Sequence, residues 1–439
     1  MIRPLMLAGT CALLAACGPA QPIPANSQFG AHPNVPEPST PLLTQTNIPD
    51  VVGWQGDAAP TVAKGFAIAP FATGLSSPRN MLVLDNGDVL VVDSKKTAPE
   101  PLERPKDFIM GLLFAQAHGG KEAPSNQVIL LRDSDGDGKA DQRKVLIDKL
   151  NSPFGIAYAN GQLYVAATDA VLSYGFKPGD DRIAAPPRKI ADLPAGPINH
   201  HWTKSLTLSP DGSKLYAGVG SNSNILERGV EAETNRAAVW EIDIKSGAER
   251  LFASGLRNPN GLTFYPGSNT LWAVINERDE LGPNLVPDYM TSVKDGAFYG
   301  WPYSSYGQHI DQRAQPQRPD LVRRATPADY ALGSHVAPLG LAFYTGNSFP
   351  AAFRGGAFVA EHGSWNSDGL HGYHIVFIQF RGGMPVGNPH NFVAGFIKDG
   401  KAQGRPVGDA IDKSVALLIA DDAGNTVWRV TYSGSPPAA

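Results

Sequence analysis

Three short stretches of this 439-residue chain carry residue types that could do chemistry, and a fourth could hold a metal. The first, Gly255-Leu256-Arg257-Asn258-Pro259-Asn260-Gly261, sets an Arg-Asn pair between glycines. Arginine presents a rigid fork of donors to a carboxylate or other planar anion. Asparagine supplies a donor and an acceptor, and glycine lets the backbone turn or approach closely. The heptad reads as a loop aimed at a planar anionic ligand; a turn with one surface arginine would look the same. The second stretch is Asn199-His200-His201-Trp202-Thr203-Lys204. An imidazole titrates near neutrality and can act as a general base, or it can simply be satisfied by hydrogen bonds. Adjacent histidines on an extended segment point opposite ways, so one of the two would face a site.

The third stretch runs from Asn276-Glu277-Arg278-Asp279-Glu280-Leu281-Gly282-Pro283 to Asp288, then into Tyr299-Gly300-Trp301-Pro302. Carboxylates mixed with Gly-Pro carbonyls offer the hard oxygens that calcium takes; an acidic surface loop has the same composition. The fourth is Asp133-Ser134-Asp135-Gly136-Asp137-Gly138-Lys139-Ala140-Asp141. Asp133, Asp135, Asp137 and Asp141 occupy alternating ligand positions of a calcium loop, with Gly138 at the sharp turn. Its twelfth position is Lys144 instead of glutamate and flanking helical patterns are absent. The expectation is a structural calcium loop between strands, with a plain Asp/Gly turn as the competing reading.

Something must bring these stretches together. Gly 47 and Pro 38 make up about a fifth of the chain, against a usual share of about 12%. Short alternating apolar runs between turn residues dominate, the pattern of an all-β protein. One theme recurs: a small-residue or proline turn, an apolar strand, a Gly/Asp/Asn turn and a second apolar strand. Copies begin at Ser76, Asn151, Thr203 and Arg257, with degenerate ones at Ala337 and Arg405. A hairpin cannot bury both faces alone, so the copies must stack on one another. Six of them predict a six-bladed β-propeller, whereas a β-sandwich would not repeat one signature at this spacing. In a propeller, loops from successive blades meet over the central channel.

The flanks bear on location and on redox chemistry. Met1-Ile2-Arg3, an apolar run from Leu5 to Ala16 and Leu14-Ala15-Ala16-Cys17 resemble a secretory signal ending in a bacterial lipobox, with Cys17 the residue to be lipidated. Gly18 after it favours the periplasmic side of the outer membrane. Cys11 is the other cysteine and lies in the segment to be removed. No disulfide, thiolate metal site or covalent haem is then available, and redox chemistry would need a non-covalent cofactor. The division expected is a signal over 1–17, a Pro-rich solvated tether over 18–60 and a propeller over 61–433. Residues 95–126 break the blade pattern as an insert. A net charge of −4 with mixed signs argues against a nucleic-acid partner.

Taken in order, the histidine before a strand ending in Ser-Pro-Asp-Gly, then GLRNPNG, then a Gly-Pro acidic loop running into Tyr-Gly-Trp-Pro resemble the glucose/sorbosone dehydrogenase family, nearest its sorbosone-type branch. The resemblance covers roughly residues 74–432. It implies a six-bladed propeller that uses pyrroloquinoline quinone and calcium to oxidise an aldose or sugar aldehyde. Electrons would leave to an external acceptor, a cytochrome or a quinone. Carried over by position, His201 resembles the catalytic base, with His200 the second choice. Arg257 and Asn258 resemble the pair that contacts the quinone, Arg257 also stabilising charge on its oxygen. The carbonyls of Gly282 and Pro283 resemble the calcium ligands, and Asp288 the acidic residue of that loop.

The chain also departs from the pattern. The calcium loop holds one extra residue between Gly282 and Asp288. Arg405-Pro406-Val407 stands where glucose-type members have Arg-x-Arg, and Glu361-His362-Gly363 where they have a lysine. His362 and Arg405 are expected to replace the missing cations as cofactor contacts. Two other readings stay open: a calcium-dependent lactonase-like propeller hydrolase, and a catalytically silent binding propeller.

Overall fold

A computed structural model describes residues 23–24, 26–39, 46–97, 125–196 and 198–434. Cys17 and residues 98–124 of the expected insert lie outside the described residues. Among the described residues, six antiparallel sheets are arranged as a β-propeller, each built on four strands and two of them extended by a fifth, with two small two-stranded sheets beside them. The innermost strands are Pro78–Val83, Gly155–Ala159, Leu206–Leu208, Pro259–Phe264, Pro338–Phe343 and Pro406–Ile411, numbered here as blades 1 to 6. Each touches the next and the sixth touches the first, which closes the ring.

The six sequence copies supply the first two strands of the six blades. Proline opens four of the inner strands at residues 78, 259, 338 and 406, a position where its missing N–H removes no ladder bond. The second strand is buried on both faces, as in Val89–Asp93, Leu271–Ile275, Ala357–Glu361 and Leu417–Asp421. That is why these strands read as unbroken apolar runs. Between each pair of neighbouring blades lies one apolar cluster; Leu206, Leu215 and Trp240 of blade 3 pack on Ala157, Tyr164 and Ile190 of blade 2.

The ring closes through a strand that lies before the first copy. Phe66–Ala72 forms the outer strand of blade 6 beside Thr426–Tyr432, with Ala67 opposite Thr431 and Ile68 opposite Val430. Phe66 anchors the seam: its ring lies 4.8 Å from both Phe349 and Phe392 and 5.2 Å from Tyr432, all edge-on.

The described residues of the 18–60 region differ from the free tether expected. Phe29–Gly30 adds a fifth strand to blade 4, with Phe29 opposite Leu332. The Ser39 N–H donates to the Leu281 carbonyl and the Asn47 N–H to the Trp365 carbonyl, both at 2.9 Å. Trp54 Nε1 donates to Asp421 at 2.6 Å while its ring packs on Trp428 and Phe396. A Pro-rich polar segment has few side chains to bury, yet its backbone groups can serve open sheet edges and loop carbonyls. Composition does not reveal that use.

Phe66 is half-buried, so Phe66→Ala should cost about 2 kcal/mol, below the range for a fully buried phenylalanine, read as a shift in the urea unfolding midpoint. An unchanged midpoint would mean that this strand does not hold the ring shut.

Candidate functional site

In a four-stranded meander, the link from an outer strand to the next blade and the loop from second to third strand leave at the same end. Residues 199–205, 255–258, 276–286, 335–337, 362–373, 403–405 and 422–425 are such links. His201, Arg257, Asn258, Gly282, Pro283, Asp288, His362 and Arg405 therefore gather at one end of the propeller. The Asp133–Asp141 loop joins the third and fourth strands of blade 1 and lies at the opposite end.

Ser221 ties His201 to the Arg257 loop. Its N–H donates to the Arg257 carbonyl at 2.7 Å, and its own carbonyl accepts the His201 N–H at 3.3 Å. The same carbonyl lies 2.9 Å from His201 Nδ1. A carbonyl only accepts, so Nδ1 carries the proton and Nε2 keeps the lone pair. Burial first, then the Arg257 charge and His200, hold His201 well below the ordinary imidazole value. It is thus a neutral base with a fixed tautomer. A side chain on Gly220 would run into both His201 and the Asn258 amide oxygen, so glycine here lets them approach. Asn258 Oδ1 is buried and has no hydrogen-bond partner among the described residues. Beneath, Lys204 is fully buried; its Nζ reaches the Trp202 carbonyl at 3.3 Å and Asn199 Oδ1 at 3.4 Å, bracing the segment that carries His201.

Arg257 is spent within the protein. It is buried and donates to the carbonyls of Asn276 (3.2 Å), Glu277 (2.5 Å) and Asn224 (3.4 Å), to Asn224 Oδ1 (3.1 Å) and to Asp279 (3.1 Å). The fork read from sequence as a ligand contact organises two loops instead. Asp279 also faces His335 Nδ1 at 3.3 Å, and His335 Nε2 lies 3.0 Å from the Gly282 carbonyl. Against the cost of burial, Asp279 holds His335 above its ordinary value, so its N–H points at that carbonyl. The Gly282 oxygen, expected as a calcium ligand, is turned inward onto a donor. Asp288 accepts the Glu277 N–H at 2.7 Å and the Ala337 N–H at 2.8 Å, fastening the loop to blade 5. Burial pushes both Asp288 and Glu277 up to about 7. This donor set does not fit a calcium ion on the Gly282 and Asp288 oxygens.

Across the mouth, Arg405 donates to the carbonyls of His362 (3.0 Å) and Gly363 (3.1 Å), and His362 Nε2 lies 3.0 Å from Asp422. Burial lowers His362 to about 4, so it is neutral and its Nε2–H serves Asp422. The second cation comes from Arg79, which pairs with Asp422 and lies 5.4 Å from the Trp202 ring and 5.7 Å from that of Phe154. Sequence reading missed Arg79 and Asp422. The available signal was the first copy's Pro78-Arg79, because the matching positions hold Phe154, Leu339 and Val407 in blades 2, 5 and 6. Those three pack together as the floor of the site.

At the far end, ligand oxygens of Asp133, Asp135 and Asp137 lie within 4.8 Å of one another. Asp133 accepts the N–H groups of Gly136 and Gly138 at 2.8 and 2.9 Å, and Asp141 accepts from Ser134. The loop holds its shape through its own backbone.

The Glucose / Sorbosone dehydrogenase family model matches residues 189–428, more than half of the sequence. An uncharacterized protein of Borreliella burgdorferi is 30% identical over 296 residues, covering 64% of this chain and 76% of that one. The pyrroloquinoline quinone-dependent pyranose dehydrogenase of Coprinopsis cinerea is 24% identical over 363 residues, covering 72% of this chain and 44% of that protein, so the match spans under half of its length. The holo structure of the pyranose dehydrogenase PQQ domain from Coprinopsis cinerea superimposes with a TM-score of 0.69 at 19% identity, covering 88% of this chain and 100% of that one. The soluble aldose sugar dehydrogenase of Escherichia coli gives 0.55 at 14% identity, covering 84% and 99%. At such identities the structural likeness carries the fold.

Arg257→Met should lose about 3–5 kcal/mol, because it strands Asp279 and several carbonyls without their buried donor. Urea unfolding measures this; a loss below about 1 kcal/mol would return Arg257 to the role of a ligand contact.

Proposed function

The chain belongs to the glucose/sorbosone dehydrogenase family, and on that premise we propose that it oxidises an aldose or sugar aldehyde with non-covalently bound pyrroloquinoline quinone. The observation that carries this reading is His201, a neutral base with Nδ1 fixed on the Ser221 carbonyl, beside the buried and unpartnered Asn258 Oδ1. An orphaned polar atom of this kind suits a polar ligand and costs stability without one. With Arg79 and Arg405 across the mouth, a planar anionic cofactor fits the residues present. Asn258 would hold its polar edge, and the two arginines would face its carboxylates. When bound, the quinone would supply the two-electron acceptor for substrate hydride.

The protein's own part is orientation and proton transfer. His201 Nε2 takes the proton of the substrate hydroxyl, or of an aldehyde hydrate, as the carbon–hydrogen bond breaks. The Ser221 carbonyl holds Nδ1–H and favours the imidazolium as it forms. Arg257, through Ser221 and Asp279, fixes where that base stands; its charge keeps His201 neutral before reaction. The apolar floor of Phe154, Leu339 and Val407 keeps water from below. No step runs through a metal at Gly282, Pro283 or Asp288.

Export, lipidation at Cys17 and residence on the periplasmic face of the outer membrane belong to the same proposal, as does an external electron acceptor. Calcium in the Asp133–Asp141 loop would be structural. Chelation should then lower the melting temperature without altering cofactor affinity; equal melting with and without the chelator removes the ion from this reading.

The defining test adds pyrroloquinoline quinone to the purified chain and follows dye reduction over aldoses and sugar aldehydes. Turnover should depend on cofactor and substrate. His201→Ala should lower it by about 10²–10⁴-fold while cofactor binding, read by fluorescence quenching, stays within a few-fold. Failure to bind the quinone sinks the proposal, and lactone turnover without it selects a hydrolase. Because the imidazole of His201 is held below its ordinary value, its basic form persists into mild acid. The acidic limb of kcat/KM should therefore lie below about 6.5; a limb at or above that value contradicts the assignment.

A further inference from the structure

Below the Phe154–Leu339–Val407 floor, the six inner strands line an axial cavity of about 310 Å³. The innermost strand of a blade has one edge without a partner strand, so backbone N–H and C=O groups face this space. Asp409 lines it, nine-tenths buried. Its place in the repeat makes it unusual. Three residues after Pro78, Pro153, Thr203, Pro259, Pro338 and Pro406, the matching positions of the six copies, stand Met81, Ile156, Leu206, Leu262, Leu341 and Asp409. The first five sit in the apolar clusters between blades. In the sixth blade a carboxyl group takes the place of a core hydrocarbon.

Among the described residues, neither oxygen of that carboxyl has a hydrogen-bond partner, although the N–H groups of Asp409 and Ala342 turn towards it. No lysine, arginine or histidine among the described residues lines the cavity. A buried carboxylate without a partner is strongly unfavourable, and a leucine would fill the space as it does in blade 5. A Cβ at Gly340 would stand 2.5 Å from the Val407 carbonyl oxygen and 2.6 Å from Asp409 Oδ1, so glycine there lets both oxygens pack directly against blade 5. Further hydroxyls on the walls come from Ser205, Thr207 and Thr263.

We propose that the axial cavity binds one hard cation, held by the Asp409 carboxylate and neutral oxygens of the inner strands. The donors are oxygen, without imidazole or thiolate, which selects calcium or an alkali ion over zinc or copper. The site is separated from the mouth by the apolar floor and does not depend on the dehydrogenase reading. Its effect is to tie blade 6, where the ring is closed, to blade 5.

The test uses the full chain carrying Asp133→Asn and Asp135→Asn, so that the distal loop contributes no ion. After chelation in choline chloride, calcium chloride, potassium chloride and sodium chloride are each added alone. Bound metal is counted by elemental analysis and melting is followed. One of the three should bind at one ion per chain and raise the midpoint by about 2–5 °C. Asp409→Asn should lose both the ion and the shift. Asp409→Leu, which copies Leu341, should fold and melt as high without added cation and ignore it. Uptake of no ion overturns the proposal whether or not the variants fold. An equal ion count and shift in Asp409→Asn also overturns it, leaving Asp409 a neutral buried acid.

Discussion

Everything at the site rests on a ring that is closed by one pairing, the antiparallel ladder between Phe66–Ala72 and Thr426–Tyr432. Each blade buries its apolar faces only against its neighbours, so an open ring would leave two faces in water and let the mouth loops drift apart. The edge-on contacts of Phe66 with Phe349, Phe392 and Tyr432 reinforce that seam. Trp54 adds a second lock by donating to Asp421, a carboxylate that also accepts the N–H groups of Arg405 and Gly424. The same residue thus joins the N-terminal segment, the closing blade and a loop of the site.

Within the closed ring, buried charge is used to set geometry. Arg257 gathers two loops through five donor contacts and faces Asp279, which in turn holds His335. Truncating such a residue leaves carbonyls and a carboxylate without partners inside the protein, a far greater loss than that of an exposed ion pair. The electrostatic consequence reaches His201: the nearby Arg257 charge and the cost of burial both favour its neutral form. A structural cation thus favours the neutral imidazole of His201. At the opposite wall, Asp422 balances Arg79 and keeps it at the mouth, where its guanidinium also lies near Trp202 and Phe154.

The axis and the mouth follow different logics. At the mouth, polar groups are many and mostly satisfied, so the few that are not among the described residues, such as Asn258 Oδ1, stand out. Along the axis the inner strands are mostly apolar between blades, and a single carboxyl at residue 409 breaks the series. Comparison between copies of one repeat exposes such a residue, because five blades state what packing alone would choose.

Sequence by itself determined the architecture and the end of the molecule where function gathers. Six hairpin copies must stack, and antiparallel connectivity then sends residues 201, 257 and 258 to one mouth and the Asp133 loop to the other. Motif order was enough to identify the family. Tertiary structure decided what each residue does there. The fork of Arg257 looks the same in sequence whether it meets a ligand or five protein acceptors, since those acceptors come from residues 224, 276, 277 and 279 on separate loops. Likewise the Gly282 carbonyl is a calcium ligand only if it faces outward, and His335 from another blade turns it inward. The partner of His362 and the arrival of Arg79 depend on blades 1, 5 and 6 meeting at the seam. Periodicity is local and survives in the sequence, whereas partners recruited across a closed ring exist only once the ring has formed.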